Sequence, residues 1–360
     1  MTGHERWTEG VGTLIFPEIC RNQMGIVARL ATQGLEIMMS FINRSPILAG
    51  LNYTKGQVLN RLKLRGHHSG STGLSMSIED AANYVRRVVA DYITYGADGD
   101  SERLDGKDVL EVGPGDNLGV ALLLLARGAR TVTCIDGFAP NFDPRHNSQI
   151  YRAIYEGLSA EERERVRDVV TLQSDGANVG GGRIMSRYGV PIDAIAPPLK
   201  ARSYDVIISR AVLEHLGDLK RGWKNMVACL RANGEMWHKV DFRNHNLFGE
   251  IHPLYFLTVP DNLWNLVSSP DPTMNRLRLP TYRELATRDF LETHYYLTHV
   301  IGESEIAPHV DDLVPGTHYS QRHVDMVQAI RPRLQKDFSD YSDEDLLVTG
   351  VFLGVRGVRT

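Results

Sequence analysis

Residues 109–119 read Val109-Leu-Glu-Val-Gly-Pro-Gly-Asp-Asn-Leu-Gly119. The four residues before Gly113 make a short apolar run holding one acid, Glu111, and read as a buried strand. Glycines at 113 and 115 let the backbone pass close to a ligand, because no Cβ stands in the way. A helix is expected from Gly119 to Arg127, so the turn also offers the unpaired N–H groups of a helix start. Strand, glycine turn and helix in that order mark the ligand crevice of a doubly wound sheet.

Working outward, Thr131-Val-Thr-Cys-Ile135 is a second strand, and Asp136 closes it 21 residues after Gly115. Asp205-Val-Ile-Ile208 and Glu235-Met-Trp-His-Lys-Val240 read as further strands, with helices around Gln149–Arg167 and Lys220–Leu230. Leu291–Val300 and Leu346–Val355 read as a closing strand pair. Strand and helix in alternation predict an α/β fold, a parallel sheet with helices on both faces.

An acid at position 136 is placed to hydrogen-bond ribose hydroxyls, and two ligands fit: a dinucleotide or an S-adenosyl sulfonium. The dinucleotide fingerprint wants Gly or Ala at position 118, where Leu118 stands, and the chain has no Tyr-x-x-x-Lys. Glu111 would repel a pyrophosphate. It suits a ligand that carries an ammonium and a sulfonium.

Glu111-Val-Gly113-Pro-Gly115 resembles the first motif of class I S-adenosylmethionine-dependent methyltransferases, and Asp136 resembles the ribose-binding acid of their second strand. Asp193-Ala194 is similar to the family's acid–Ala pair ahead of its fourth strand, here Ser203-Tyr-Asp-Val-Ile-Ile-Ser209. Arg210-Ala-Val-Leu-Glu-His215-Leu is similar to the stretch after that strand, and Leu230-Arg-Ala-Asn-Gly-Glu235 to the turn before the fifth. The resemblance spans roughly residues 105–245. It implies a Rossmann-like, seven-stranded, mostly parallel sheet and S-adenosyl-L-methionine as cofactor. It also implies a donor site over Glu111, Gly113, Pro114, Gly115, Asn117, Asp136, Gly137, Asp193, Ala194 and Arg210. The chain departs from the family in two places: Asn117 stands where a third glycine is common, and a Gly/Arg-rich stretch, Gly180 to Tyr188, precedes Asp193. That stretch leaves Asp175 as a rival to Asp193 for the adenine.

Methyl transfer is an in-line displacement in which the charge on sulfur disappears. The protein aligns donor and acceptor and, for a hydroxyl acceptor, takes up a proton. A base is therefore expected at the carboxyl ends of the fourth and fifth strands, where the chain carries His215, His238, Asp241, His245 and His252. His238 lies inside its strand and reads as core. Asp241, at the strand exit, is the expected substrate contact. His245 is the expected proton acceptor, since an imidazole titrates near neutral pH, and His215 is expected close to the donor. Asp241, His245 and His252 are also the residues a divalent metal would use, but their spacing matches no tight metal motif, so no metal is expected. O-methylation is favoured, with N- and C-methylation open.

Residues 244–290 exceed the minimal fold. Phe256-Leu-Thr-Val-Pro260 and Leu263-Trp264 supply apolar and aromatic surface, and Asn275-Arg276-Leu-Arg278 supplies donors. Together they suit a polar or anionic acceptor, a small molecule or a glycan; an insertion that only packs on the sheet is the other reading.

The chain of 360 residues has 40 Lys+Arg against 44 Asp+Glu, a net charge of −4, which argues against a nucleic-acid partner. Cys20, Cys134 and Cys229 are too few for a disulfide framework or a thiolate zinc site. The longest apolar run, Val120–Ala126, falls far short of the ~20 residues that span a bilayer. No membrane span and a cytoplasmic location are expected. Residues 1–100 read as an N-terminal helical extension or lid. It holds a helix within Ile26–Leu51, a Gly/Ser loop with His67 and His68, and a helix opened by Ser77 and Asp80 and running to about Tyr95. A homodimer through these helices is an open expectation. Residues 101–360 read as the methyltransferase domain, with its insertion at about 244–290. The competing functions are an NAD-dependent oxidoreductase on a similar sheet and a non-catalytic interaction protein of the same fold.

Overall fold

The run Asp108–Val112 forms β1, near the middle of an eight-stranded sheet, and its last four residues are all buried. Such a strand is covered on both faces, which is why it is apolar beyond Asp108 at its start, apart from Glu111. The computed structural model describes residues 73–359 except 141, 198, 244–250, 269–273 and 303–304. The predicted helix within Ile26–Leu51, His67, His68 and His245 lie outside the described residues.

On one side β1 pairs in parallel with β2 (Thr131–Asp136), and on the other with β6 (Tyr204–Arg210). The sheet runs β5-β2-β1-β6-β7-β10-β8-β9, where β5 is Ile184–Tyr188, β7 Leu230–Asp241, β8 Phe290–Val300, β9 Glu305–Val310 and β10 Val348–Val358. Strands β5 to β7 in that order are mutually parallel, and β10 pairs antiparallel with both β7 and β8. The chain order reverses at β1, which opens a crevice at the carboxyl ends of β1, β2 and β6.

The sheet has eight strands rather than the expected seven, because β9 adds an antiparallel edge. The Gly180–Tyr188 stretch, read from sequence as an extra segment, carries the edge strand β5. Its Met185, Ser186 and Arg187 are exposed, so no apolar pattern announces it. The hairpin of β3 (Val170–Leu172) and β4 (Ala177–Val179) stands outside the main sheet.

Helix α1 (Ile78–Asp91) starts at Ser77, whose side chain accepts the Asp80 N–H, and buries Ala81, Ala82, Val85, Val88 and Val89 along one stripe. It packs with α2 (Gly119–Ala126) and α3 (Pro144–Glu156) into the first core, so residues 78–91 of the expected extension are part of the main fold. Helix α2 is buried on every side, as its Gly-Val-Ala-Leu-Leu-Leu-Leu-Ala sequence requires. The single helix expected over Gln149–Arg167 is two, α3 and α4 (Ala160–Arg165). Ser159 and Glu162 form a capping box, which restarts the chain as a new helix. On the other face α5 (Leu219–Cys229) and α7 (Leu279–Asp289) close a second core.

A third core gathers Leu254, Phe256, Trp264, Met274, Val300, Ile301, Val327, Phe338 and Leu347. It draws on α6 (Asp261–Ser268), α8 (Gln321–Ile330), α9 (Lys336–Ser339) and α10 (Asp343–Leu347). Gly350 pairs with Asp241, so the start of β10 and the exit of β7 share one end of the sheet, and α10 runs directly into that start. The insertion after β7 is thus completed by a second one between β8 and β10.

This third core overturns the reading of the insertion's aromatics and arginines as acceptor contacts. Phe256 and Trp264 are buried within it. Arg276 is buried between the Trp264 and Phe338 rings, pairs with Asp261 and donates to the Phe256 and Val259 carbonyls. Arg278 is fully buried and donates to the carbonyls of Phe242, Asp345, Leu346 and Val348. The carbonyls that end α10 and leave β7 have no helical or strand partner, and a buried guanidinium satisfies them. Among the described residues no helix is long and apolar enough to cross a membrane.

Candidate active site

The glycine turn is held from three sides. The Gly113 N–H donates to Ile135 O at 2.8 Å. Tyr151 Oη accepts the Leu118 N–H at 3.0 Å, Asn147 Nδ2 donates to Asp116 O at 2.7 Å, and Asp116 Oδ2 accepts the Leu74 N–H. Gly113 and Gly115 have φ of +75° and +76°, which L side chains avoid. A Cβ on Gly113 would also meet Val212 Cγ2 at 2.3 Å. Val212 is aimed there by Ala211, itself left-handed at φ +52°, a conformation costing an L residue roughly 1–2 kcal/mol. Such strain at the exit of β6 is a mark of a functional site. Pro114 is buried in the same turn, and Asn117 Oδ1 accepts the Gly119 N–H at 2.9 Å, where it caps α2.

Two acids line the β1–β2 end of the crevice. Glu111 is 5% exposed and receives a hydrogen bond from Cys134 Sγ at 3.3 Å. Burial, with the Asp136 charge adding to it, pushes its carboxyl up to about 7. Asp136 accepts backbone N–H groups from Phe138 and Gly115, yet burial still raises it above its usual range. Among the described residues no basic side chain stabilises either acid. Two such carboxyls beside a glycine turn suit a ligand that brings its own cation and hydroxyl donors, so the residues fit an S-adenosyl ligand.

The Glu111 shift has a testable consequence. Near pH 7 the native protein holds a proton that the unfolded chain, with an ordinary carboxyl near 4.5, has lost. This stabilisation is present at low pH and is lost as the pH rises through about 7. Glu111→Gln is therefore expected to gain stability over wild type between pH 5 and 8.5, by up to about 3 kcal/mol. Urea unfolding at the two pH values measures it, and a pH-independent difference would contradict it.

Asp193 and Ala194 follow β5 on a loop that passes Gly137, where a Cβ would stand 3.3 Å from Pro191. Asp193 Oδ2 accepts the Asp218 N–H, and Asn225 Nδ2 holds the Ile192 and Ala194 carbonyls. Asp175 lies in the β3–β4 turn outside the main sheet, and its neighbour Gly176 packs against Ser148 of α3. Arg210 leaves β6 on the α1 face, where it pairs with Asp91 at 2.6 Å and lies over the Tyr84 ring. Lys239 reaches the same carboxylate at 3.3 Å. Burial would raise Asp91, but its two cationic partners hold it below the usual range.

At the ends of β6 and β7 the turn Leu213–His215 carries a half-buried His215 beside a buried Glu214. Glu214 Oε1 accepts the Asp241 N–H at 3.1 Å, and burial pushes its carboxyl up to about 8, with the Asp241 charge adding. The Asp241 carboxylate is clamped by Arg243, with Nη2 at 2.6 Å. Asn275 straps the turn down through the Leu213, Glu214 and Leu216 carbonyls. Glu214 was missed by the sequence reading, which took Glu-His-Leu for its histidine alone. His238 is core, as read: its Nδ1 lies 2.7 Å from Ser209 Oγ, and burial lowers it to about 3. His252 spends Nε2 on Met326 O and Nδ1 on the Leu254 N–H. Among the described residues no three His, Cys, Asp or Glu side chains assemble into a metal-binding group.

The profile of a family described as "Methyltransferase domain" matches residues 81–287, more than half of the chain. The chain belongs to this family. The resemblance to class I S-adenosylmethionine-dependent methyltransferases drawn from the motifs is thereby borne out, along with the Rossmann-like fold and the donor it implies. Among solved structures, the methyltransferase is similar to Haemonchus contortus phosphoethanolamine N-methyltransferase 2, at 13% identity and a TM-score of 0.37. That match covers 77% of this chain and 53% of the other, so the chain spans about half the length of that enzyme. A putative sarcosine dimethylglycine methyltransferase from Galdieria sulphuraria matches at 14% identity and a TM-score of 0.36, covering 79% and 91% of the two chains. The CurJ carbon methyltransferase matches at 10% identity and a TM-score of 0.37, covering 91% and 71%. No curated protein matches the chain.

Proposed function

We propose that this methyltransferase transfers a methyl group to a hydroxyl of a small molecule or sugar. The observation that supports this acceptor class is that Asp241 and the half-buried His215 come together at the exits of β6 and β7. A carboxylate and an imidazole are groups able to take up the proton of a hydroxyl. S-adenosylmethionine supplies the activated methyl on a sulfonium. On the donor side Gly113, Pro114 and Gly115 provide the close backbone approach, Asp136 accepts ribose hydroxyls, Glu111 faces the cationic end, and Asp193 with Ala194 and Gly137 borders the adenine. Asn117 and Arg210 belong to the same rim, Asn117 through its backbone and Arg210 through its pairing with Asp91. On the acceptor side Asp241 contacts substrate and His245 takes the proton, with His215 close to the donor. The chain works on soluble acceptors in the cytoplasm without nucleic acid, as a homodimer through its N-terminal helices.

Calorimetric titration with S-adenosylhomocysteine and, in parallel, NADH tests the donor, and a screen of sugars and phenols for methylated product tests the acceptor. Binding of NADH alone would transfer the chain to the oxidoreductase reading, and binding of neither to the interaction-protein reading. His245→Ala is expected to lower turnover at least 100-fold at saturating donor, within the contribution of general-base catalysis. Near-normal turnover would remove His245 from the mechanism.

A further inference from the structure

We infer that Glu214 is a positioning residue: its buried carboxyl latches the exit of β7 to the turn after β6, and so sets Asp241 and His215 relative to each other. The inference rests on the methyltransferase reading for its functional meaning and on geometry for its substance. Glu214 is 1% exposed at the junction of three segments. Its Oε1 accepts the Asp241 N–H from β7, and its own carbonyl accepts the Asn275 N–H from the insertion at 2.7 Å. The adjacent His215 belongs to the same short turn. Glu214 Oε2 is buried and has no hydrogen-bond partner among the described residues.

An ionised carboxylate with a bare buried oxygen would carry a large desolvation penalty, whereas a protonated one carries far less. The charged and titratable groups facing it leave that preference in place. Burial dominates: Asp241 on β7 adds to it, Arg243, which clamps Asp241, acts the other way without cancelling it, and Tyr282 on α7 is a neutral phenol held well above its usual range by burial. The carboxyl consequently titrates near 8 rather than near 4.5. Above that pH the Oε1 acceptor of the latch carries charge, and the change is felt directly at the Asp241 N–H that it holds.

The test follows the Asp241 backbone amide by NMR from pH 6 to 10 in the full chain, in wild type, Glu214→Gln and Glu214→Ala. Each protein is also titrated with S-adenosylhomocysteine. In wild type the Asp241 amide is expected to move in a one-proton step with its midpoint near 8. In Glu214→Gln, which keeps the shape and the acceptor oxygen but cannot ionise, that step is absent. Glu214→Ala shifts the Asp241 and His215 resonances at every pH, while affinity for S-adenosylhomocysteine stays within twofold. A step that persists in Glu214→Gln, a wild-type amide flat between pH 6 and 10, or unmoved Asp241 and His215 resonances in Glu214→Ala would overturn the inference. If Glu214→Ala does not fold, the Gln comparison decides alone. Wild type that fails to bind S-adenosylhomocysteine would sink the methyltransferase reading instead, and the amide titration would still judge the latch.

Discussion

Gly113→Ala is expected to weaken S-adenosylhomocysteine binding by roughly 30- to 150-fold, the equivalent of about 2–3 kcal/mol. Two costs add. The residue sits at φ +75°, where an L side chain loses roughly 1–2 kcal/mol. Its new methyl would lie 2.3 Å from Val212 Cγ2 and must displace either Val212 or the turn itself. Val212 has little freedom to retreat, since Ala211 before it is already left-handed and its N–H is tied to Lys239 O at 2.9 Å. The glycine turn therefore yields, at the point where the donor is proposed to approach the backbone. Combining Gly113→Ala with Val212→Ala removes the collision and leaves the backbone strain, so about tenfold of the lost affinity should return. Calorimetry on the three proteins checks this. Affinity unchanged in the single variant would mean that the donor lies elsewhere.

Arg278→Met is expected to destabilise the fold by about 3–5 kcal/mol, because several buried carbonyls are left unpaired at roughly 1–3 kcal/mol each, offset by the lost desolvation cost of the cation. The lost guanidinium serves the carbonyls of Phe242, Asp345, Leu346 and Val348, and so ties the exit of β7 to α10 and to the start of β10. Methionine replaces the volume but leaves these acceptors buried and unpaired. Burial holds the guanidinium down to about 10, still far above neutral, so the residue is a cation in the core at working pH. Arg278→Lys should recover only part of the loss, because one ammonium cannot reach carbonyls on separate segments in the way a planar fork does. Urea unfolding reads the effect. A cost below 1 kcal/mol would show that water replaces the guanidinium without penalty.

These two sites show how differently the sequence speaks about its parts. The glycine turn is legible because its cause is local: two glycines, a strand before them and a helix after them. Asp136 is legible for the same reason, as the acid that ends the next strand. The start of α1 follows from Ser77 and Asp80, and His238 reads as core from its place inside a strand. The Ser159-Ala-Glu-Glu162 box was equally local and could have split the α3–α4 segment in advance.

What the sequence by itself determined is therefore the α/β class, the parallel core strands, the glycine turn with its flanking strand and helix, and the family, all set by spacings within a few dozen residues. The tertiary structure alone decided the rest, because there the cause is long-range burial. Strand β5 has no apolar signature, since an edge strand with an exposed face needs none. Arg276 and Arg278 look like surface donors until the Val259 and Leu346 carbonyls, 17 and 68 positions away, claim them. Glu214 is an ordinary carboxylate in the sequence and becomes a neutral latch only when Asp241, 27 residues on, closes over it. A side chain's charge depends on what surrounds it, and those neighbours come from parts of the chain that meet only in the fold.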